Sequence, residues 1–220
     1  MYGTSQRVTW SSSNSSVATV SSYGRVSTKE QNEDRQLIAI SKLEVQIDQI
    51  YIDKVSGKNF ERPNYKKMLQ NLDKIMKPKS IAVVGASTKE HTIGSDIMKR
   101  LQEYKFTGNI YPINPKGGII EGLQAYTSVL EVPGEIDLAI IVVNAKFVLD
   151  TIDQCHQKGI KGLCVITAGF KETGAEGAEL EKSLLSKVKE YGMRCVGPNC
   201  LGVVNTEPSI SMDGCFAESL

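Results

Sequence analysis

From about residue 73 onward, short apolar runs alternate with stretches in which apolar residues recur every three or four positions. IAVVG (81–85), NIYPI (109–113), DLAIIVV (137–143), GLCVI (162–166) and MRCVG (193–197) are nearly continuous in apolar character. Runs of that length predict strands buried on both faces. Between them, Ile97, Leu101 and Tyr104 stand at i, i+4 and i+7, as do Val148, Ile152 and Cys155; Leu180, Leu184, Val188 and Tyr191 continue the pattern. These spacings put apolar side chains on one helical face. Strands alternating with amphipathic helices predict an α/β domain, a doubly wound parallel sheet covered on both sides.

The pattern is different upstream. Residues 1–22 are rich in Ser, Thr, Val and Asn, with VTW and VATV as short alternating, strand-like pieces. Residues 23–72 are charged and mostly helical in pattern, with a strand-like IYID at 50–53. The expected organisation is therefore a Ser/Thr-rich segment (1–22), a charged segment (23–72) and the α/β domain (73–220), the last alone long enough to bury its own core.

Charge and cysteine usage narrow the function classes. With 26 Lys and Arg against 25 Asp and Glu the net charge is +1. That balance supplies no broad attraction to nucleic acid or to an acidic membrane, so neither DNA nor a membrane is expected as a partner. No apolar run approaches the ~20 residues that span a bilayer. The first residues, MYGTSQRVTWSSSNSS, lack the charged start and apolar core of a secretory signal, and a cytoplasmic location is expected. Five cysteines (155, 164, 195, 200 and 215) contain no CxxC pair, and His91 and His156 have no ligand-like spacing to them. No metal site is expected, and the thiols read as small hydrophobes.

In open parallel sheets, ligands bind beyond the carboxyl ends of the strands, where strand order reverses. The first strand runs into Gly85-Ala86-Ser87-Thr88, and a helix is expected to start near Gly94. Small residues admit a phosphate to backbone N–H groups, and the helix N-terminus adds a positive dipole end. The pattern is G-A-S-x(6)-G, not G-x-G-x-x-G, and no acidic residue closes the second strand to hold a ribose hydroxyl. That strand ends in Asn114-Pro115-Lys116, which offers a cation. A nicotinamide dinucleotide is disfavoured. Taken singly, Gly85 also reads as a tight βα turn and Lys116 as a solvated turn residue.

PKSIAVVGAS, YPINPKGG, IDLAIIVV, CVITAGFKETG and GPNCLGVVNT occur in this order. Together they resemble the CoA-binding domain of NDP-forming acyl-CoA synthetases, relatives of the succinyl-CoA synthetase α subunit, over residues 73–220. The resemblance implies a Rossmann-like domain with coenzyme A as its cofactor or, equally, acyl-CoA as its ligand. It assigns the CoA phosphates to Gly85, Ala86, Ser87 and Thr88 and the nucleotide to Lys116. The loops ending DLAIIVV and GLCVI supply Val143, Asn144 and Ala145, then Ile166, Thr167 and Ala168. GPN at 197–199 would face a neighbouring domain. The family makes its thioester with a phosphohistidine domain and a nucleotide-grasp domain or subunit, and neither His91 nor His156 has the phosphohistidine context. CoA binding without ligase activity is expected of this chain alone, with a separate ligase or ATP-grasp chain as partner.

YGRVSTKEQNEDRQ and IYIDKVSGKNFERPNYKKML resemble the start of the serine recombinase (resolvase and invertase) catalytic domain over about residues 23–70. That resemblance implies Ser27 as nucleophile toward a DNA phosphodiester, with Arg25, Asp53 and Arg62 around it. Guanidinium groups would offset charge at the phosphate in the transition state. The family's later D-R-x-x-R stretch has no counterpart, so Ser27 is expected to be a relic. QRVTWSSSNSSVATVSS (6–22) is similar to the middle of bacterial immunoglobulin-like repeats. Three functional readings follow: a CoA-binding module, a truncated recombinase acting through Ser27, and a non-functional fusion.

Overall fold

Successive residues of a strand face opposite sides of its sheet, and here both sides are covered. The computed structural model describes residues 72–216 in full and the backbone of 21–26 and 49–54. Strands β1 (Ser21–Val26) and β2 (Gln49–Lys54) pair in parallel, with Arg25 opposite Asp53. The strand-like pieces of residues 1–20, together with Ser27 and Arg62, lie outside the described residues.

The main sheet holds five parallel strands in the order β4-β3-β7-β8-β9. These are β3 (Ser80–Val84), β4 (Asn109–Ile113), β7 (Leu138–Ile141), β8 (Gly162–Val165) and β9 (Arg194–Val196). Two antiparallel hairpins flank them, β5 (Gly118–Ile120) with β6 (Leu123–Ala125), and β10 (Gly202–Asn205) with β11 (Met212–Cys215). The α/β, doubly wound parallel architecture is as expected. The hairpins have no counterpart in the apolar pattern, and β7, β8 and β9 end earlier than their apolar runs do. Val142, Val143, Ile166 and Gly197 belong to the loops that leave the sheet.

Ile81 and Val83, Leu138 and Ile140, and Cys164 face one side, where helix α1 (Ile93–Glu103) supplies Ile97, Met98 and Leu101. Ala82 and Val84, Ala139 and Ile141, and Leu163 and Val165 face the other. There α2 (Val148–Lys158) supplies Val148, Ile152 and Cys155, and α3 (Ala175–Glu190) supplies Leu184 and Val188. The first helix corrects one expectation. Tyr104 is its exposed C-cap, and Met98 fills the buried position instead. At i+7 from Ile97 the helix is already ending, so an aromatic ring there meets solvent.

The helices are fastened by polar contacts as well. On α1, the N-cap Thr92 accepts from the Ser95 amide at 3.3 Å, a local bond that satisfies one of the helix's orphan donors. Between α2 and α3, the Lys187 ammonium donates to both Asp153 oxygens at 2.6 and 2.8 Å, and the Tyr191 hydroxyl donates to Oδ1 at 2.8 Å. Burial alone would raise the Asp153 carboxyl, but these donors outweigh it and hold the group below its ordinary value. His156, exposed on α2, stacks flat on the Tyr191 ring with centroids 4.0 Å apart.

Candidate functional site

Strand order reverses between β3 and β7, since the chain leaves β3 for β4 on one side and returns to β7 on the other. The crevice beyond their carboxyl ends is bounded by the loops after β3, β4, β7 and β8. Its floor is the Gly85 turn. The Gly85 amide donates to Ile113 O on β4 at 3.0 Å, while Val142 N donates to Val84 O at 2.9 Å. Gly85 sits at φ +100°, and a Cβ there would lie 2.9 Å from Val142 Cγ2. Only glycine relieves both constraints.

The α1 N-terminus is pressed onto this turn. A Cβ on Gly94 would stand 2.2 Å from Gly85 O, so the helix approaches within a distance no side chain permits. Between the turn and the helix, Ser87 Oγ accepts from Lys89 N at 3.0 Å and Thr92 Oγ1 donates to Lys89 O at 2.9 Å. The amides of Ser87 and Thr88 make no hydrogen bond within the described residues. Ser95 Oγ, in the first turn of α1, is buried without a partner there. A tight glycine cradle, unspent amides and an orphaned hydroxyl at a helix N-terminus suit an anionic group.

Asn114 connects the second loop to the first. Its side-chain amide donates to Ala86 O at 2.7 Å, its Oδ1 accepts from Lys116 N at 2.9 Å, and its backbone N donates to Tyr126 O at 2.9 Å. Asn114 thereby holds Lys116 one strand over from the Gly85 turn, with the lysine exposed. The residue types just before Pro115 carry a turn signal, but the bond to Ala86 is made across 28 residues of chain and has no local signature.

The two remaining loops mix exposed and buried positions. Asn144 is exposed and caps a short helical turn by accepting from Lys146 N at 3.2 Å; Val143 and Ala145 beside it are half-buried. Ile166 is a core residue on the α1 side, 4% exposed. The Thr167 hydroxyl donates to Val143 O at 2.7 Å and so joins the two loops. Of these three, Ala168 is the exposed one. His91 is an exposed loop residue at φ +59°. Among the described residues no group of His, Cys, Asp and Glu is arranged to hold a metal.

The loop after β8 is shaped by its own carboxylate. Glu172 Oε1 accepts from Gly169 N at 2.6 Å and from Phe170 N at 3.1 Å. Burial pushes the Glu172 carboxyl up, but the backbone amides and then Lys171 outweigh it, and the group lies below its ordinary value. A depressed carboxyl pKa contributes stability that is present above the unfolded value and lost as pH falls through the folded one. We expect an NMR titration of the Glu172 carboxyl carbon to give a midpoint below the ordinary ~4.3 of glutamate. A midpoint at or above that value would mean these amides do not hold the charge.

The profile of the CoA binding domain family matches residues 79–206. That of the resolvase N-terminal domain matches residues 20–86. The two overlap at residues 79–86, around the apolar strand β3, which stands between β4 and β7 in the five-stranded sheet. The chain is 48% identical over 140 residues to the acetate–CoA ligase (ADP-forming) II subunit alpha of Pyrococcus furiosus, a match covering 64% of this chain and 30% of that protein. It is 44% identical over 142 residues to the 4-hydroxybutyrate–CoA ligase (ADP-forming) of Nitrosopumilus maritimus, covering 64% and 20%. Among solved structures, the dinucleotide-forming acetyl-coenzyme A synthetase 1 of Ca. Korarchaeum cryptofilum, in complex with phosphate and ADP, superposes with a TM-score of 0.63 at 41% identity. That match covers 67% of this chain and 31% of the other. The chain spans about a third or less of the length of these relatives.

Proposed function

The chain belongs to the CoA binding domain family, and on that premise we propose that it holds coenzyme A, or an acyl-CoA, in the crevice beyond β3 and β7. It serves in this reading as the CoA-binding portion of an NDP-forming acyl-CoA ligase, with which it is homologous through the alpha subunit. The phosphates lie over Gly85, Ala86, Ser87 and Thr88 against the N-terminus of α1. Lys116 pairs with the phosphorylated adenosine end, and the loops at 143–145 and 166–168 flank the rest. The observation that carries this reading is the Gly94–Gly85 approach, which brings a helix N-terminus onto a turn with unspent amides.

In this reading the thioester chemistry falls to a separate ligase or ATP-grasp chain. In this arrangement residues 73–220 form the CoA-binding unit, and 1–22 and 23–72 are distinct segments. No helix among the described residues is long and apolar enough to cross a membrane. A second reading, recombinase-like action on DNA through Ser27, is favoured by the resolvase profile match and by the pairing of Arg25 opposite Asp53. The absent D-R-x-x-R stretch removes charge stabilisation that such chemistry needs.

Thermal unfolding in the presence of CoA, NAD or a DNA duplex separates the readings. A ligand at one hundred times its Kd adds about 2.7 kcal/mol to stability; CoA is expected to do so and the others not. Lys116→Ala should weaken CoA binding by about 1.5–3 kcal/mol, the range for a charged hydrogen bond. Tighter binding of NAD than of CoA, or indifference to Lys116→Ala, would overturn the assignment.

A further inference from the structure

At the carboxyl end of the sheet, two cysteines distant in sequence meet. Cys164 lies on β8 and is fully buried on the α1 side; Cys200 lies in the loop after β9 and is half-buried. Their sulfurs are 3.8 Å apart. We propose that Cys200 and Cys164 form a peroxide-responsive thiol pair, in which Cys200 is the attacking sulfur and Cys164 resolves it as an intramolecular disulfide.

The surroundings distinguish the two sulfurs. Cys200 shares a hydrogen bond with the Cys164 thiol, and backbone N–H groups of Gly202 and of Cys200 itself also face its sulfur. Together they outweigh partial burial and hold the thiol below its ordinary value. Cys164 is driven the other way, by that same hydrogen bond and by its burial. The remaining thiols are poor candidates. Burial pushes Cys155 and Cys195 up to about 12 and Cys215 up to about 11. Reactivity toward peroxide belongs to the thiolate and to the accessible sulfur, and among the five cysteines both attributes coincide at Cys200.

The chemistry balances with hydrogen peroxide as oxidant. The Cys200 thiolate attacks one peroxide oxygen, an S–O bond forms, the O–O bond breaks, and the hydroxide released takes up a proton to leave as water. Cys200 is then a sulfenic acid. The Cys164 sulfur attacks it, the S–S bond forms, the S–O bond breaks, and the second hydroxide leaves as water with the Cys164 proton. Two thiols are oxidised and one peroxide is reduced to two waters. Bond formation draws the sulfurs together by roughly 1.8 Å, to the usual S–S separation of about 2.05 Å. Strand β8 is paired on both edges, so the loop at 197–201 must supply the movement. That loop is bonded to the β8 loop through Asn199 N and Thr167 O at 3.0 Å, and the closure is transmitted there.

Peroxide treatment of the full chain, followed by alkylation of free thiols and peptide mass mapping, tests this without reference to CoA. The expected product is one disulfide joining the peptides that carry Cys164 and Cys200, reversed by dithiothreitol. Cys200→Ser should slow peroxide consumption at least about tenfold, and Cys164→Ala should leave a sulfenic acid on Cys200 that a cyclic dione captures. A disulfide to Cys195 or Cys215 in the wild-type chain, no disulfide at all, or a Cys200→Ser variant that reacts as fast as wild type would each overturn the proposal. Mapping is done on the wild-type protein, so a poorly folding variant does not remove the test.

Discussion

Gly94→Ala is expected to destabilise the protein by about 3 kcal/mol and to abolish measurable CoA binding. In an unobstructed helix the same change would stabilise by up to about 1 kcal/mol, because alanine has the higher helix propensity. Here the new Cβ would lie 2.2 Å from Gly85 O and 3.1 Å from the Ala86 Cα. Those are backbone atoms, and they cannot rotate away as a side chain would. Either α1 retreats from the sheet, losing packing at Ile97, Met98 and Leu101, or the Gly85 turn shifts against Val142. Overpacking of this sort costs about 1–3 kcal/mol and occasionally more. Both routes move the helix N-terminus away from the phosphate turn. Chemical denaturation and calorimetric CoA titration of the variant measure the two effects separately. A stabilised variant that still binds CoA would show that the close approach does not exist.

The second large effect concerns a salt bridge that the apolar pattern gives no reason to expect. Arg100 on α1 reaches Asp213 on β11 at 3.2 Å, with side chains only 15% and 6% exposed. Removing one partner of a buried pair strands the other charge, at a cost of about 3–5 kcal/mol. Arg100→Ala should show that loss in denaturant unfolding, since among the described residues the Asp213 carboxylate would keep only its bond from Cys215 N, at 3.1 Å. Arg100→Met combined with Asp213→Leu should recover most of it, because an apolar pair of similar volume carries no desolvation penalty. If the double variant is no better than Arg100→Ala, the pair contributes something other than charge compensation.

The strands that the sequence makes legible are those buried on both faces. Ile81 through Val84 are apolar at every position because helices lie above and below them, and the run declares itself without any knowledge of the partner strands. The β10–β11 hairpin is hidden for the opposite reason. MDGC places a buried carboxylate and a glycine in a strand, and their burial is explained only by Arg100 and by Ile140, whose Cδ1 a Gly214 Cβ would approach to 2.8 Å. Tyr104 misleads because periodicity continues past the point where capping stops the helix. At the candidate site, the glycine turn and Lys116 are visible because a strand end and an Asn-Pro-Lys turn are local features. The bond from Asn114 to Ala86 is not local, and neither is the one from Thr167 to Val143. Ile166 reads locally as a loop residue, and its burial on the α1 side depends on contacts distant in sequence.

The hairpin at 202–215 also bears on how the protein is made. Thr107 Oγ1 donates to Ser209 O at 2.8 Å and the Ser211 hydroxyl donates to Tyr104 O at 2.6 Å, each across more than 100 residues of chain. Asn205 reaches back farther still, donating to Met76 O at 2.6 Å. Val203 and Met212 complete the apolar layer over α1. A nascent chain emerging from the ribosome can therefore form all five parallel strands and still lack the cover for α1. Folding to the finished core waits until about residue 215 has cleared the exit tunnel. Contacts this far apart in sequence also slow the search for the native state. During that interval the α1 side of the sheet is exposed to other nascent chains, and the speed of translation through residues 202–215 becomes a determinant of yield.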